Sequence, residues 1–206
     1  MKKPLLLACV LGGLMFAALH GAQAQQAPAA PVTNPTVALL GDSITEGGLW
    51  ANYFPSQRVL NLGIGGDTTQ GMLNRLGPLL AAKPPKVFVM AGINDLLRGR
   101  AADDVFGTYK QILAELYAPE RKIYVESTLY VTAPTPVAVN EKVQRLNTQL
   151  RQLCEQTRRC TFVDMNAILA PTGQLLPGFT VDGLHLNQAG YEAWFAQLKG
   201  WQFLAQ

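Results

Sequence analysis

Histidine is nearly missing from this chain: 206 residues contain two. His20 falls inside an N-terminal apolar stretch, so His185 is the one histidine of the remaining sequence. Serine is almost as scarce, with only Ser43, Ser56 and Ser127. Cysteine occurs at positions 9, 154 and 160. One histidine without clustered carboxylates or thiols makes poor zinc chemistry, so no metal is expected. Charge of either sign is also in short supply. The formal +3 includes Lys2 and Lys3, and without them 15 basic side chains stand against 14 acidic ones. No basic run could neutralise a row of phosphates, which excludes nucleic acid as an expected partner. A P-loop string is absent. The stretch at residues 63–68 has Thr68 where a dinucleotide fingerprint needs its last glycine, so no organic cofactor is expected either.

Long apolar runs are missing too. Residues 5–19 are apolar but include Gly12 and Gly13, and a membrane-spanning helix needs about 20 such residues. Lys2 and Lys3 precede this stretch, and Ala22-Gln23-Ala24 follows it. That order is the grammar of a secretory signal peptide. Residues 1–24 are therefore expected to be removed after Ala24, leaving a periplasmic or secreted protein with no stable membrane anchor. The alternative is an uncleaved N-terminal anchor. Lipidation at Cys9 is disfavoured, because cutting there leaves almost no apolar segment upstream. Residues 25–35 contain three prolines among alanines and polar residues, the composition of an extended linker. Residues 36–206 then form one domain of ordinary size. In an oxidising compartment Cys154 and Cys160 can pair; two buried free thiols remain the other reading.

Within the domain, short apolar runs alternate with helical periodicity. Runs at residues 37–40, 58–62, 87–91, 123–127 and 162–163 suit parallel strands buried on both faces. Apolar stripes at Met72, Leu73, Leu76, Leu79 and Leu80, from Val105 to Leu116, from Val143 to Cys154, and at Trp194, Phe195 and Leu198 mark helices, the last capped by Asn187. Alternation of this kind predicts an α/β fold: a parallel sheet covered on both faces. Ligands then bind outside the carboxyl ends of the strands. Gly41-Asp42-Ser43, residues 63–67 and residues 92–95 follow the first three strands, so all three segments converge on that edge.

Scarcity narrows the chemistry. If a serine works with a histidine, the base is His185. Ser43 is the best nucleophile, since it follows a strand-ending glycine at the ligand edge. Ser43 could alternatively cap a short helix. Ser56 lies in a surface-like turn, and Ser127 ends the fourth strand as a supporting residue. A hydroxyl needs a neighbouring base to become nucleophilic. Asp182, three residues before His185 with Gly183 between them, is placed to accept the Nδ1 proton and leave Nε2 for the serine. Acyl transfer also needs donors for a tetrahedral oxyanion. Gly66 and Ser43 can offer backbone N–H groups, and Asn94 its side-chain amide. A G-x-S-x-G elbow is absent.

Four ordered blocks carry a family resemblance: GDSIT from Gly41, NLGIGGDTT from Asn61, GIND from Gly92 and DGLHLN from Asp182. The chain resembles the GDSL or SGNH hydrolases. Within them it looks most like the branch of the platelet-activating-factor acetylhydrolase catalytic subunits and bacterial acetylesterases. The resemblance implies a three-layer α/β/α sandwich with a five-stranded parallel sheet, the flavodoxin-like SGNH fold. It implies Ser43 as nucleophile, Asp182 and His185 as its partners, and Ser43, Gly66 and Asn94 around the oxyanion. It further implies a small-molecule ester substrate, most simply an acetyl ester. Lysophospholipase or thioesterase activity is the alternative within the family, and non-catalytic carbohydrate binding the alternative outside enzymes. Residues 129–140 are the one candidate lid, short and stiffened by proline. Trp50 and Tyr53 are candidate pocket walls or core aromatics.

Overall fold

The computed structural model describes residues 32–200. The signal-peptide expectation for residues 1–24 and most of the linker lie outside the described residues. Five parallel strands form one sheet in the order β2-β1-β3-β4-β5. They are β1 (Val37–Gly41), β2 (Val59–Gly63), β3 (Lys86–Val89), β4 (Lys122–Glu126) and β5 (Thr161–Val163). The helices between and after them are α1 (Ser43–Glu46), α2 (Trp50–Tyr53), α3 (Thr69–Asn74), α4 (Gly77–Ala82), α5 (Ile93–Leu97), α6 (Ala102–Leu116), α7 (Asn140–Thr157), α8 (Asn166–Leu169) and α9 (Gln188–Gly200). None of the described helices is long and apolar enough to cross a membrane.

The strand runs read from sequence all form strands, shifted by at most two residues. Every position of β1 and β3 is buried, because helices cover both faces. The packing of α6 against α3 and α7 builds one layer. The other joins α8 and α9 with α2, whose Trp50 meets Trp194 of α9 edge-on at 5.0 Å. Each fully buried Leu, Val or Ile in this core contributes roughly 1.5–3 kcal/mol.

One helical stripe divides. Met72, Leu73, Leu76, Leu79 and Leu80 belong to two helices, α3 and α4, not one. Pro78 explains the break: it has no N–H to give, and its ring would clash with the carbonyl four residues back, that of Asn74. Pro78 sits instead in the first turn of α4. Asn187 caps α9 as its position suggested, accepting from Gly190 N at 3.0 Å.

Cys154 and Cys160 are disulfide-bonded, with Cα atoms 4.9 Å apart. The bridge fastens the end of α7 to the start of β5.

The sheet order sets the place of the site. The chain passes from β1 outward to β2, then returns across β1 to β3. Beside β1 the loops after β1 and β3 therefore leave in opposite directions, opening a crevice at the carboxyl edge.

Candidate active site

Ser43 begins α1 directly after β1. Asp42, not Ser43, is the N-cap of that helix, and its Oδ1 accepts from Ile44 N at 3.0 Å. Ser43 is therefore the first helical residue, and its N–H has no carbonyl four residues back to take it. The Ser43 Oγ lies 2.9 Å from His185 Nε2. On the far side of the ring, His185 Nδ1 lies 2.6 Å from Asp182 Oδ2. A proton on Nδ1 shared with the carboxylate leaves Nε2 as acceptor for the serine hydroxyl. Three side chains separated by as much as 142 positions thus form one continuous relay.

A four-residue turn holds the carboxylate and the ring. Asp182 Oδ1 accepts from Leu184 N at 3.0 Å and His185 N at 2.7 Å. Gly183 has φ +86°, and a Cβ there would lie 2.2 Å from Thr132 O, so only glycine fits. Burial raises the Asp182 carboxyl, but hydrogen bonds from His185 and Leu184 outweigh it and hold the group below its ordinary value. Asp182 thus stays an acceptor wherever the imidazole is a usable base.

The loop after β2 folds into a turn in which Asp67 N donates to Ile64 O at 3.1 Å. Gly66 takes φ +72°, a conformation that favours glycine. Asn94, in the first turn of α5, donates one amide hydrogen to Asp67 O at 3.0 Å. Its second amide hydrogen remains for a ligand. Gly66 and Asn94 are thereby brought together, and Arg75 ties them to the end of β1. Its guanidinium donates to Asp67 Oδ2 at 2.6 Å and to Gly41 O at 3.0 Å. Arg98 donates to Gly66 O at 2.8 Å.

Sequence reasoning missed these supports. Arg75, Asp67 and Arg98 look like ordinary surface charges along the chain. Asp95 carried a hint in the GIND block: buried beside Asn94, it accepts from Thr69 N at 2.8 Å and pairs with Arg100. Asp42 was also overlooked. It is fully buried, and neither its Oδ2 nor Thr45 Oγ1 has a hydrogen-bond partner. Burial pushes the Asp42 carboxyl up to about 6, against the Ile44 hydrogen bond and the pull of His185.

Other expected residues lie outside the site. Ser127 is buried and accepts from Met165 N at 2.9 Å, tying β4 to α8. Ser56 is exposed in a turn. Trp50 is core, donating to Thr45 O at 2.7 Å and stacked on Phe54. Tyr53 stacks on Phe195. In residues 129–140, Leu129 and Val131 are fully buried and Thr132 N donates to Gly183 O at 2.8 Å. The segment buttresses the histidine turn instead of hanging over the site. Among the described residues no group of three or more His, Cys, Asp or Glu could hold a metal ion. A half-open apolar cleft bounded by α6, α7 and the start of β4 contains none of the residues named in this site.

A doubly wound parallel sheet thus brings a serine, an imidazole and a carboxylate within hydrogen-bond reach at its carboxyl edge, a constellation suited to acyl transfer. The chain belongs to the GDSL-like lipase/acylhydrolase family, whose model matches residues 39–193. It is 32% identical over 166 residues to the platelet-activating factor acetylhydrolase IB subunit alpha1 of Pongo abelii, spanning 76% of this chain and 71% of that one. It is 30% identical over 151 residues to an N-acylneuraminate cytidylyltransferase of Streptococcus agalactiae, covering 73% of this chain but 34% of that protein. The chain thus spans about a third of the length of such relatives. A solved Streptococcus pneumonia structure described as a platelet activating factor superposes with a TM-score of 0.75 at 28% identity, over 84% of this chain and 86% of that one.

Proposed function

We propose that this protein is a serine esterase that removes small acyl groups, acetyl above all, from carboxylic esters. The observation that carries the reading is the unbroken relay from Ser43 Oγ to His185 Nε2 and from Nδ1 to Asp182. In the first step Ser43 Oγ bonds to the ester carbonyl carbon while its proton moves to Nε2. Negative charge collects on the carbonyl oxygen, which the N–H groups of Ser43 and Gly66 and the free amide hydrogen of Asn94 receive. Collapse breaks the bond to the alkoxy oxygen, and His185 gives that oxygen its proton, releasing the alcohol. Water then surrenders a proton to His185 and attacks the acyl carbon. Its collapse frees the carboxylic acid and returns the proton to Ser43.

Short acyl groups are favoured by the openness of the surroundings. The His185 side chain is 41% exposed, and residues 129–140, packed on the histidine turn, form no lid that would enclose a long chain. The acetylhydrolase relative supports the same preference. Export after cleavage at Ala24 remains part of the proposal, and the Cys154–Cys160 bond suits an oxidising compartment.

Hydrolysis of p-nitrophenyl esters of increasing acyl length tests the reading. The acetate is expected to be the best substrate, and Ser43→Ala to lose essentially all turnover. Equal rates for Ser43→Ala and the unaltered protein would remove the esterase proposal. A maximum at long acyl chains would replace acetyl by a lysophospholipase or thioesterase preference.

A further inference from the structure

Parallel strands all begin at one edge, and here that edge is basic. Arg58 precedes β2, Lys86 opens β3, Arg121 and Lys122 lead into β4, and Arg158 and Arg159 precede β5. Lys86 and Lys122 are register partners on adjacent strands. These six are drawn from 15 basic side chains between Val32 and Gly200, so the rest of the molecule is left net acidic. Arg58, Arg121, Lys122, Arg158 and Arg159 take part in no ion pair among the described residues, whose pairs use Arg75, Arg100, Arg145, Arg151 and His185. Arg58, Lys122, Arg158 and Arg159 are exposed. The acids nearby are fewer: Glu120 in the loop before Arg121, with Glu115 and Glu155 near the ends of α6 and α7.

The same edge holds the apolar cleft. It is open to solvent and holds about 140 Å³ among Leu113, Tyr117, Ile123 and Leu153, with Lys110 and Arg159 also on its wall. Tyr117 is 43% exposed, and Arg159 lies 4.6 Å over its ring. The first described residues run into β1 at this edge too, where Arg58 donates to Asn34 O at 2.7 Å. Cations, a half-exposed aromatic and an apolar cleft together match an amphipathic anion: phosphate headgroups outside, acyl carbon inside.

We infer that the strand-start edge docks on the anionic headgroup surface of a phospholipid bilayer, leaving the opposite, catalytic edge facing away from it. A soluble polyanion would account for the cations but not for the cleft and Tyr117 beside them. This inference goes beyond the esterase reading and does not depend on it.

Vesicle sedimentation of the exported protein tests it, with mass spectrometry fixing its N-terminus. Binding is expected to vesicles with about 30 mol% phosphatidylglycerol, to weaken with salt, and to be at least roughly tenfold weaker on phosphatidylcholine alone. The double variant Lys122→Glu with Arg159→Glu is expected to lose at least about tenfold in partitioning while p-nitrophenyl acetate hydrolysis stays unchanged. The two single variants, each expected to lose part of that binding, carry the test if the double variant misfolds. Equal binding to both vesicle types, or undiminished binding by the folded variants, would overturn the inference. So would binding to heparin or a DNA oligonucleotide with none to vesicles.

Discussion

At the scale of single residues the relay depends on which proton sits where. Asp182→Asn keeps an oxygen for the Leu184 and His185 N–H groups, so the turn should survive. Its amide would donate toward Nδ1, forcing the ring's proton onto Nε2 and leaving Ser43 without a base. Turnover of p-nitrophenyl acetate is expected to fall by about 10²–10⁴-fold, with the thermal midpoint little changed. Asp42 makes the opposite trade. Its carboxyl is raised from 3.8 to about 6, so the stability it contributes is present below about pH 4 and lost as pH rises through 6. At neutral pH it is a buried, half-satisfied charge that faces His185, and it favours the imidazolium that forms on proton uptake. Asp42→Asn retains the helix cap, because asparagine caps as well as aspartate. Near pH 7.5 it is expected to melt no lower than the unaltered protein yet turn over on the order of tenfold more slowly. A lower melting point with unchanged turnover would make Asp42 purely structural. The sequence exposed the residues of the candidate relay through their rarity: one histidine beyond the N-terminal apolar stretch and three serines leave few combinations. Asp42 escaped notice because burial, which gives it its character, is a property of the fold and not of the Gly41-Asp42-Ser43 string.

At the scale of elements, strands were legible and breaks were not. Short apolar runs ending in glycine or a polar residue marked all five strands, since a strand covered on both faces is largely apolar; β2, at the edge of the sheet, is only partly buried, with Asn61 exposed. The division between α3 and α4 was hidden because periodicity records faces and ignores the backbone; Pro78, read for its missing N–H, was the available signal. The Gly66 and Asn94 side of the site depends on ties between loops. Arg75 joins Gly41 O to the Asp67 carboxylate, and nothing in sequence spacing announces a contact across 34 positions. The histidine turn offers the sharpest test at this scale. Gly183→Ala meets both an unfavourable φ and the Thr132 carbonyl, so the turn must shift. A displacement of about 1 Å costs on the order of 10²-fold in kcat/KM. That loss is expected from steady-state kinetics, with the circular dichroism spectrum retained.

At the scale of the whole molecule a second buried carboxyl couples stability to pH. Glu126 ends β4, is 1% exposed, and accepts from Trp194 Nε1 at 2.7 Å. Burial pushes it up from 4.5 to about 8, against the Trp194 hydrogen bond. The unfolded chain releases this proton first, so the stability that this carboxyl contributes is lost as pH rises from about 4.5 to about 8. Glu126→Gln keeps the acceptor and cannot ionise. Calorimetry between pH 5 and 9 is expected to show its thermal midpoint gaining steadily on that of the unaltered protein; parallel curves would deny the carboxyl this role. The basic edge belongs to this scale as well. Its cations are scattered over a hundred positions, so no run reveals them, and only the common direction of the strands gathers them.

The two ends of β1 carry different duties. The polymer arrives at one end, runs through the five residues of the strand, about 16 Å at the usual rise per residue, and presents Ser43 two residues beyond the other. Cargo joined directly at Val32, whether a fusion partner, a bead or a sensor surface, would be tethered at the edge where the strands begin. Immobilised through that end, the protein would keep its mouth open to the surrounding liquid.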